Sequence, residues 1–209
     1  MDTIFYIFEI VVLIFSIVIH EFSHGWMANS LGDPTAKYQG RLTLNPLPHI
    51  DPLGSILVPF LMFLSGTGII FGWAKPVPYN PYNLKNQKRG PAMVAAAGPL
   101  ANLAVAVFFG LVIRILVAQG VGLAIIPFLG FIVLINIVLG IFNLVPIPPL
   151  DGSKLLFSVL PYSMRNIQEF LEKNGMLFLL VFIFFGFQLI IPIIFGLFKL
   201  LVGNNMFGF

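Results

Sequence analysis

The sequence predicts an all-α membrane protein: a polytopic helical bundle with a short re-entrant or β element between its first and third apolar segments. Three observations carry that prediction. Of 209 residues, 58% are hydrophobic and 9% charged, whereas a soluble domain carries about 25% charged residues and needs them to stay dissolved. Five apolar stretches alternate with polar linkers. The second stretch, Pro52 to Phe71, is interrupted by Gly54, Pro59, Gly66 and Gly68, which makes it the weakest candidate for a full crossing. The length suits one integral-membrane domain over 1–209, because about four to six spanning helices would consume it.

Each element has its own signal. The first apolar run, from Ile4 to Leu31, ends at Gly32 with Pro34 beyond, a helix C-terminus. Asp2 is its only early charge and no small-residue cleavage site follows, so it reads as a retained transmembrane helix and not a secretory signal. The third run, Pro91 to about Ala118, opens with Ala95, Ala96, Ala97, Gly98 and Ala101, small residues that let helices approach closely. The fourth covers roughly Leu123 to Val145. The fifth, Met176 to Val202, contains Gly186 and Pro192 and reads either as one kinked helix or as a tight pair of short ones. In the first linker, Lys37 to Leu44 alternates in polarity, which predicts a short strand.

Charge and cysteine content narrow the chemistry. A net charge of +3 does not suggest a nucleic-acid partner, because most basic residues sit in linkers between apolar segments, where they mark the cytoplasmic side of a membrane protein. Cysteine is absent, so any metal must be held by nitrogen and oxygen ligands.

His20-Glu21-Phe22-Ser23-His24 is an H-E-x-x-H motif. On a helix, positions i and i+4 share a face, so both imidazoles can reach one metal while Glu21 sits beside a water. Neutral imidazole suits zinc, and a carboxylate at the water can take its proton. The motif lies in an apolar helix, where each ionisable group costs about 2.5–3.5 kcal/mol on insertion scales. One divalent cation compensates all three groups, and it outweighs the bland reading of a polar patch at a helix end.

Two histidines leave zinc a protein ligand short. Glu9 lies three turns earlier on the same helix and cannot fold back; Glu169 and Glu172 sit in a charged, solvated stretch. Asp33, His49 and Asp51 remain candidates. Asp151 is favoured, because Pro146, Pro148 and Pro149 unwind the end of the fourth apolar run and Gly152 permits a turn that presents one carboxylate at membrane depth. Asn102, a dozen residues into the third run, is equally readable as a contact near the metal and as interhelical glue.

The chain resembles the site-2 protease family of intramembrane zinc metalloproteases over essentially its whole length. The resemblance rests on the H-E-x-x-H run, on Gly98-Pro99-Leu100-Ala101-Asn102, and on Asn143 through Gly152 with its Asn-x-x-Pro and Leu-Asp-Gly pattern. The segments 32–37, 41–46 and 72–78 look like the small bacterial branch that has no PDZ-like or nucleotide-sensing domain. It implies one zinc per chain held by His20, His24 and Asp151, Glu21 as catalytic base, and Asn143 beside the site on substrate backbone or oxyanion. The implied substrate is a transmembrane protein in the lipid bilayer. Substrate strand addition onto Lys37–Leu44 is a further expectation. The rival readings are a membrane zinc hydrolase of lipid or a small amide, and a metal transporter, which would have no use for a general base.

Shared ligands also constrain topology. His20 and His24 lie late in the first helix and Asp151 follows the fourth run, so an even number of crossings must separate them; Pro52 to Phe71 is expected to dip in and return. Nine of the eleven basic residues then lie on one side, the cytoplasmic side of a bacterial cell membrane, with the metal a short way in from it.

Overall fold

The computed structural model describes residues 2–64, 73–120 and 123–203. Lipid offers no partner to a backbone N–H or C=O, so long apolar segments close their hydrogen bonds within helices. Among the described residues, four helices are long and apolar enough to cross a bilayer: Thr3–Ser30, Gly90–Ala118, Ile126–Asn143 and Gly175–Val202. The chain is an integral, multi-pass, all-α membrane protein.

Helix α1 (Asp2–Ser30) ends where expected, with Gly32 in a left-handed conformation at φ 106°. Helix α4 (Gly90–Ala118) runs antiparallel to it, and α5 (Ile126–Asn143) returns beside both. Phe5 and Phe8 of α1 meet Phe128 of α5 at ring-centroid distances of 5.3 and 5.0 Å, so these two helices begin at the same end of the bundle. The last apolar segment is one continuous helical run, not a hairpin. After α6 (Asp151–Val159) and α7 (Arg165–Lys173), it passes from α8 (Gly175–Val181) through a π-turn at Phe182–Gly186 into α9 (Phe187–Val202). Ile113, Val133, Ile137, Ile190, Ile194 and Phe198 form the apolar core that α4, α5 and α9 share. Arg114 of α4 donates from Nε to the Leu201 carbonyl at 2.7 Å and caps the end of α9, so these two helices finish together.

Between α1 and α4 the chain leaves and returns at one end of the bundle. The Lys85 N–H donates to the Leu31 carbonyl at 2.9 Å. Asp33, fully buried, accepts from Asn80 N at 2.6 Å and from Asn83 Nδ2 at 2.9 Å. An even number of crossings therefore separates α1 from α4, as ligand sharing requires. Within the loop lie a short helix α2 (Thr35–Tyr38), a π-turn at Pro52–Leu57 and helix α3 (Val58–Leu64). The glycines at 66 and 68, which helped to disfavour a crossing, lie outside the described residues.

The expected β element is corrected. No strand occurs among the described residues, and Lys37 and Tyr38 belong to α2. Gly40 turns the chain at φ 65°, and Arg41 is then buried, donating to the Lys75 and Pro76 carbonyls at 2.7 and 3.3 Å. The alternation at 37–44 reflects one arginine pointing inward, not a pleated edge, and the strand-addition expectation loses its strand.

Candidate metal centre

The carboxyl end of α5 brings the third group to the histidines. Beyond Asn143 the proline run unwinds the chain until Leu150, where helix α6 (Asp151–Val159) begins with Asp151 in its first turn. A carboxylate at that position interacts favourably with the helix N-terminus. Gly152 is needed for a reason different from the expected turn: a Cβ there would collide with the carbonyl of Leu144 and lie 2.5 Å from that of Val145. Its backbone is not left-handed; close approach of the 144–145 backbone is what demands glycine.

Three atoms converge. His20 Nε2 and His24 Nε2 are 3.0 Å apart, and Asp151 Oδ2 lies 3.1 Å from each. The other ring nitrogens face acceptors: His24 Nδ1 is 2.7 Å from the Val94 carbonyl, and His20 Nδ1 is 2.6 Å from Asn102 Oδ1. With the ring protons on Nδ1, both Nε2 atoms are lone-pair acceptors, as is the carboxylate oxygen. Three mutually facing acceptors in a buried site repel one another unless a cation sits among them. Tetrahedral zinc binds nitrogen and oxygen at about 2.0–2.1 Å, which sets ligand atoms about 3.3 Å apart, close to the observed spacing. The donor set and its geometry fit the metal. His20, His24 and Asp151 are the one such group of histidines and acids among the described residues.

The other candidates are occupied elsewhere. Asp33 holds the loop, accepting additionally from Thr35; Asp51 caps the π-turn, accepting from Leu53 N at 2.9 Å and Gly54 N at 2.8 Å. His49 is buried with Nε2 donating to the Thr43 carbonyl at 2.9 Å. Glu169 is exposed and pairs with Arg165 at 2.9 Å. Asn143 sits at the end of α5, its Nδ2 donating to Leu139 O at 2.9 Å. Asn102, open between two readings in the sequence, proves to touch His20 directly.

Residues 110–186 match peptidase family M50. YwhC of Bacillus subtilis, assigned by name as a zinc metalloprotease, is 38% identical over 180 residues, covering 82% of this chain and 78% of that protein. The chain belongs to peptidase family M50. This is the site-2 protease family that its motifs resemble. Two mycobacterial proteins assigned by name as the zinc metalloprotease Rip2 are also similar. That of Mycolicibacterium smegmatis is 37% identical over 139 residues, 66% of this chain and 51% of that protein. That of Mycobacterium tuberculosis H37Rv is 32% identical over 169 residues, 79% of this chain and 62% of that protein. No solved structure matches the chain significantly.

Several residues around this M50 centre escaped sequence reasoning. Gly98, read there as a helix-packing residue, faces the histidines: a Cβ would stand 2.7 Å from His20 Cε1 and Nε2 and closer still to His24 Nε2. Glu21 Oε2 accepts from the Val77 N–H at 2.8 Å. Pro76 and Pro78 flank Val77 and have no N–H, so this stretch of extended chain offers one donor, directed at Glu21. Asn136 and Ser16, fully and almost fully buried, bond to Asn102 and to each other. The available signal for Asn136 was its isolation, a lone amide in the apolar run 123–142.

Proposed function

We propose that this M50 chain is an intramembrane zinc metalloendopeptidase, hydrolysing a peptide bond within or next to a transmembrane segment of a membrane-protein substrate. The convergence of His20 Nε2, His24 Nε2 and Asp151 Oδ2, with both Nδ1 atoms engaged by acceptors, is the observation that supports it. These three residues would hold one zinc ion. Zinc, when bound, polarises a peptide carbonyl and acidifies water. Glu21 takes the proton as the water oxygen attacks the carbonyl carbon, and delivers it to the departing amine nitrogen as the C–N bond breaks. Asn143 is assigned to the developing oxyanion, and must release Leu139 O to reach it. The substrate must unwind locally, because a helix hides its carbonyls in hydrogen bonds.

The same reading orients the protein. His20 precedes the end of α1 by ten residues, about 15 Å along the axis, so the site lies inside the bilayer near the end that carries the polar loops. Those loops hold nine of the eleven basic residues, which makes that end cytoplasmic in a bacterial cell membrane. The loop that contains Pro52–Leu64 returns to its starting side, and a re-entrant excursion of this segment satisfies that condition. Residues 1–209 form one peptidase domain.

Glu21→Gln tests the reading on one preparation. Zinc content should stay near one per chain while cleavage of a membrane-embedded peptide falls by about 10²–10⁴-fold or more. Full zinc with near-normal cleavage would remove Glu21 from the chemistry; absence of zinc from the unaltered protein would remove the metal.

A further inference from the structure

We infer that Asn136 is a positioning residue for the metal centre: through Asn102 it sets which nitrogen of His20 carries the proton, and so keeps Nε2 free as a ligand. The inference rests on the metal reading above and adds a residue that does not touch the metal. Asn136 and Asn102 are both fully buried in the bundle interior, where an amide without partners costs several kcal/mol. Every amide atom of the pair has a partner, and the partners fix the direction of each hydrogen bond.

The direction starts from two backbone carbonyls, which only accept. Asn136 Nδ2 lies 2.9 Å from the Ile132 carbonyl, so that end of the amide must be the donor. The same Nδ2 reaches Ser16 Oγ at 2.9 Å. The opposite end, Oδ1, is then an acceptor and lies 2.8 Å from Asn102 Nδ2. Asn102 Nδ2 also faces the Ser16 carbonyl at 3.1 Å. Reversing the Asn102 amide would set its oxygen against two acceptors, so its Oδ1 is left pointing at His20 Nδ1, 2.6 Å away. An acceptor there requires Nδ1–H on the neutral ring, which puts the lone pair on Nε2, where Asp151 and His24 converge. His24 needs no such relay, because its Nδ1 meets the Val94 carbonyl directly.

Without Asn136 Oδ1, the Asn102 amide keeps only the Ser16 carbonyl to hold its orientation, and His20 is freer to carry its proton on Nε2. Removal of an outer partner of a metal-ligating histidine typically weakens metal affinity about 10–100-fold. Asn136→Leu, one hydrogen bond farther out, should therefore weaken zinc binding several-fold and at most to that extent. Asn136→Asp should restore it to within a few-fold: a buried neutral carboxyl can donate to Ile132 O and accept from Asn102 Nδ2.

The test is nitrogen-15 NMR of the imidazoles in metal-free protein, with zinc affinity by chelator competition on the same samples. The chain has three histidines. At a pH where the rings are neutral, His20 and His24 should be protonated on Nδ1, and His49, whose Nε2 donates to Thr43 O, on Nε2. The His20 signal should shift toward a mixture in Asn136→Leu and return in Asn136→Asp. A purely structural role would lower the melting temperature without moving the His20 tautomer. Nδ1 without its proton on His20 in the unaltered protein overturns the inference with no variant needed. So does an Asn136→Leu protein that keeps both the tautomer and the affinity. Unaltered protein with the expected tautomers but no zinc binding would instead overturn the metal reading and leave the relay standing.

Discussion

Gly98→Ala adds one methyl group, and the structure places it against the two imidazoles of the candidate metal centre. The new Cβ would lie 2.7 Å from His20 Cε1 and Nε2, where ordinary contact begins at 3.4 Å, an overlap of at least 0.7 Å, and larger against His24 Nε2. The rings have little freedom to retreat, because His20 is tied to Asn102 and His24 to the Val94 carbonyl. Helix α4 is also held on its far side, where Gly140 of α5 comes so close that a Cβ there would be 3.2 Å from the Pro99 carbonyl. Overpacking of this kind costs about 1–3 kcal/mol. At about 1.4 kcal/mol per tenfold, that corresponds to a loss of zinc affinity on the order of 5- to 150-fold. Helix propensity acts the other way, favouring alanine over glycine by about 0.8–1 kcal/mol, so the helix itself should not be weakened. Chelator competition measures the affinity, and circular dichroism checks that helix content is unchanged. Gly196→Ala is the control, since its Cβ would meet nothing within 4 Å. Gly98→Ala protein that binds zinc as tightly as the unaltered chain would refute the placement of α4 against the histidines.

Metal analysis should find zinc lost in His20→Ala and in His24→Ala and strongly weakened in Asp151→Ala, while Asp51→Ala keeps a full complement; the reverse pattern for the two aspartates would displace Asp151 as the third ligand. In this cysteine-free chain, single cysteines at Gln39, Tyr82 and Asn166 should label from the cytoplasmic face, and those at Thr3 and Gln119 from the other. Opposite labelling of Gln39 and Tyr82 would mean that the 31–89 loop crosses the bilayer an odd number of times. Burial pushes the Asp33 carboxyl up, but hydrogen bonds from Thr35, Asn83 and Asn80 outweigh it and hold its pKa below the ordinary aspartate value. Its contribution to stability is thus complete above about pH 4 and is lost as the pH falls through the lower folded value. Asn at this position would turn an amide N–H toward the Asn80 N–H, costing about 1–3 kcal/mol at neutral pH. Thermal melts of Asp33→Asn from pH 3 to pH 7 should show that gap narrowing toward acid, and a constant gap would contradict it.

The sequence by itself determined the class of solvent, the spanning helices and most of the candidate metal centre. Composition at 58% hydrophobic leaves lipid as the solvent, and lipid enforces helices, so α1, α4, α5 and the 175–202 run follow from local pattern. The pairing of His20 with His24 was legible because helical spacing puts the two imidazoles one turn apart on one face with no tertiary information. Asp151 was legible by elimination and by the proline run that precedes it, though Asp33, His49 and Asp51 stayed open, because distance along the chain says nothing about distance in space. Only the tertiary structure shows which of these groups lies beside the histidines: it folds the 31–89 loop back to its starting side and brings the start of α6 to α1, with Asp151 Oδ2 3.1 Å from both Nε2 atoms. It also decided against the strand at 37–44, where Arg41 turns inward toward the Lys75 and Pro76 carbonyls and leaves an alternation that resembles a pleat. The supporting shell was invisible for the same reason. Gly98, Asn136 and Val77 come from α4, α5 and the loop, and each has its role only because packing brings these three distant stretches of chain to the helix that carries both histidines, where Ser16 lies one turn before His20.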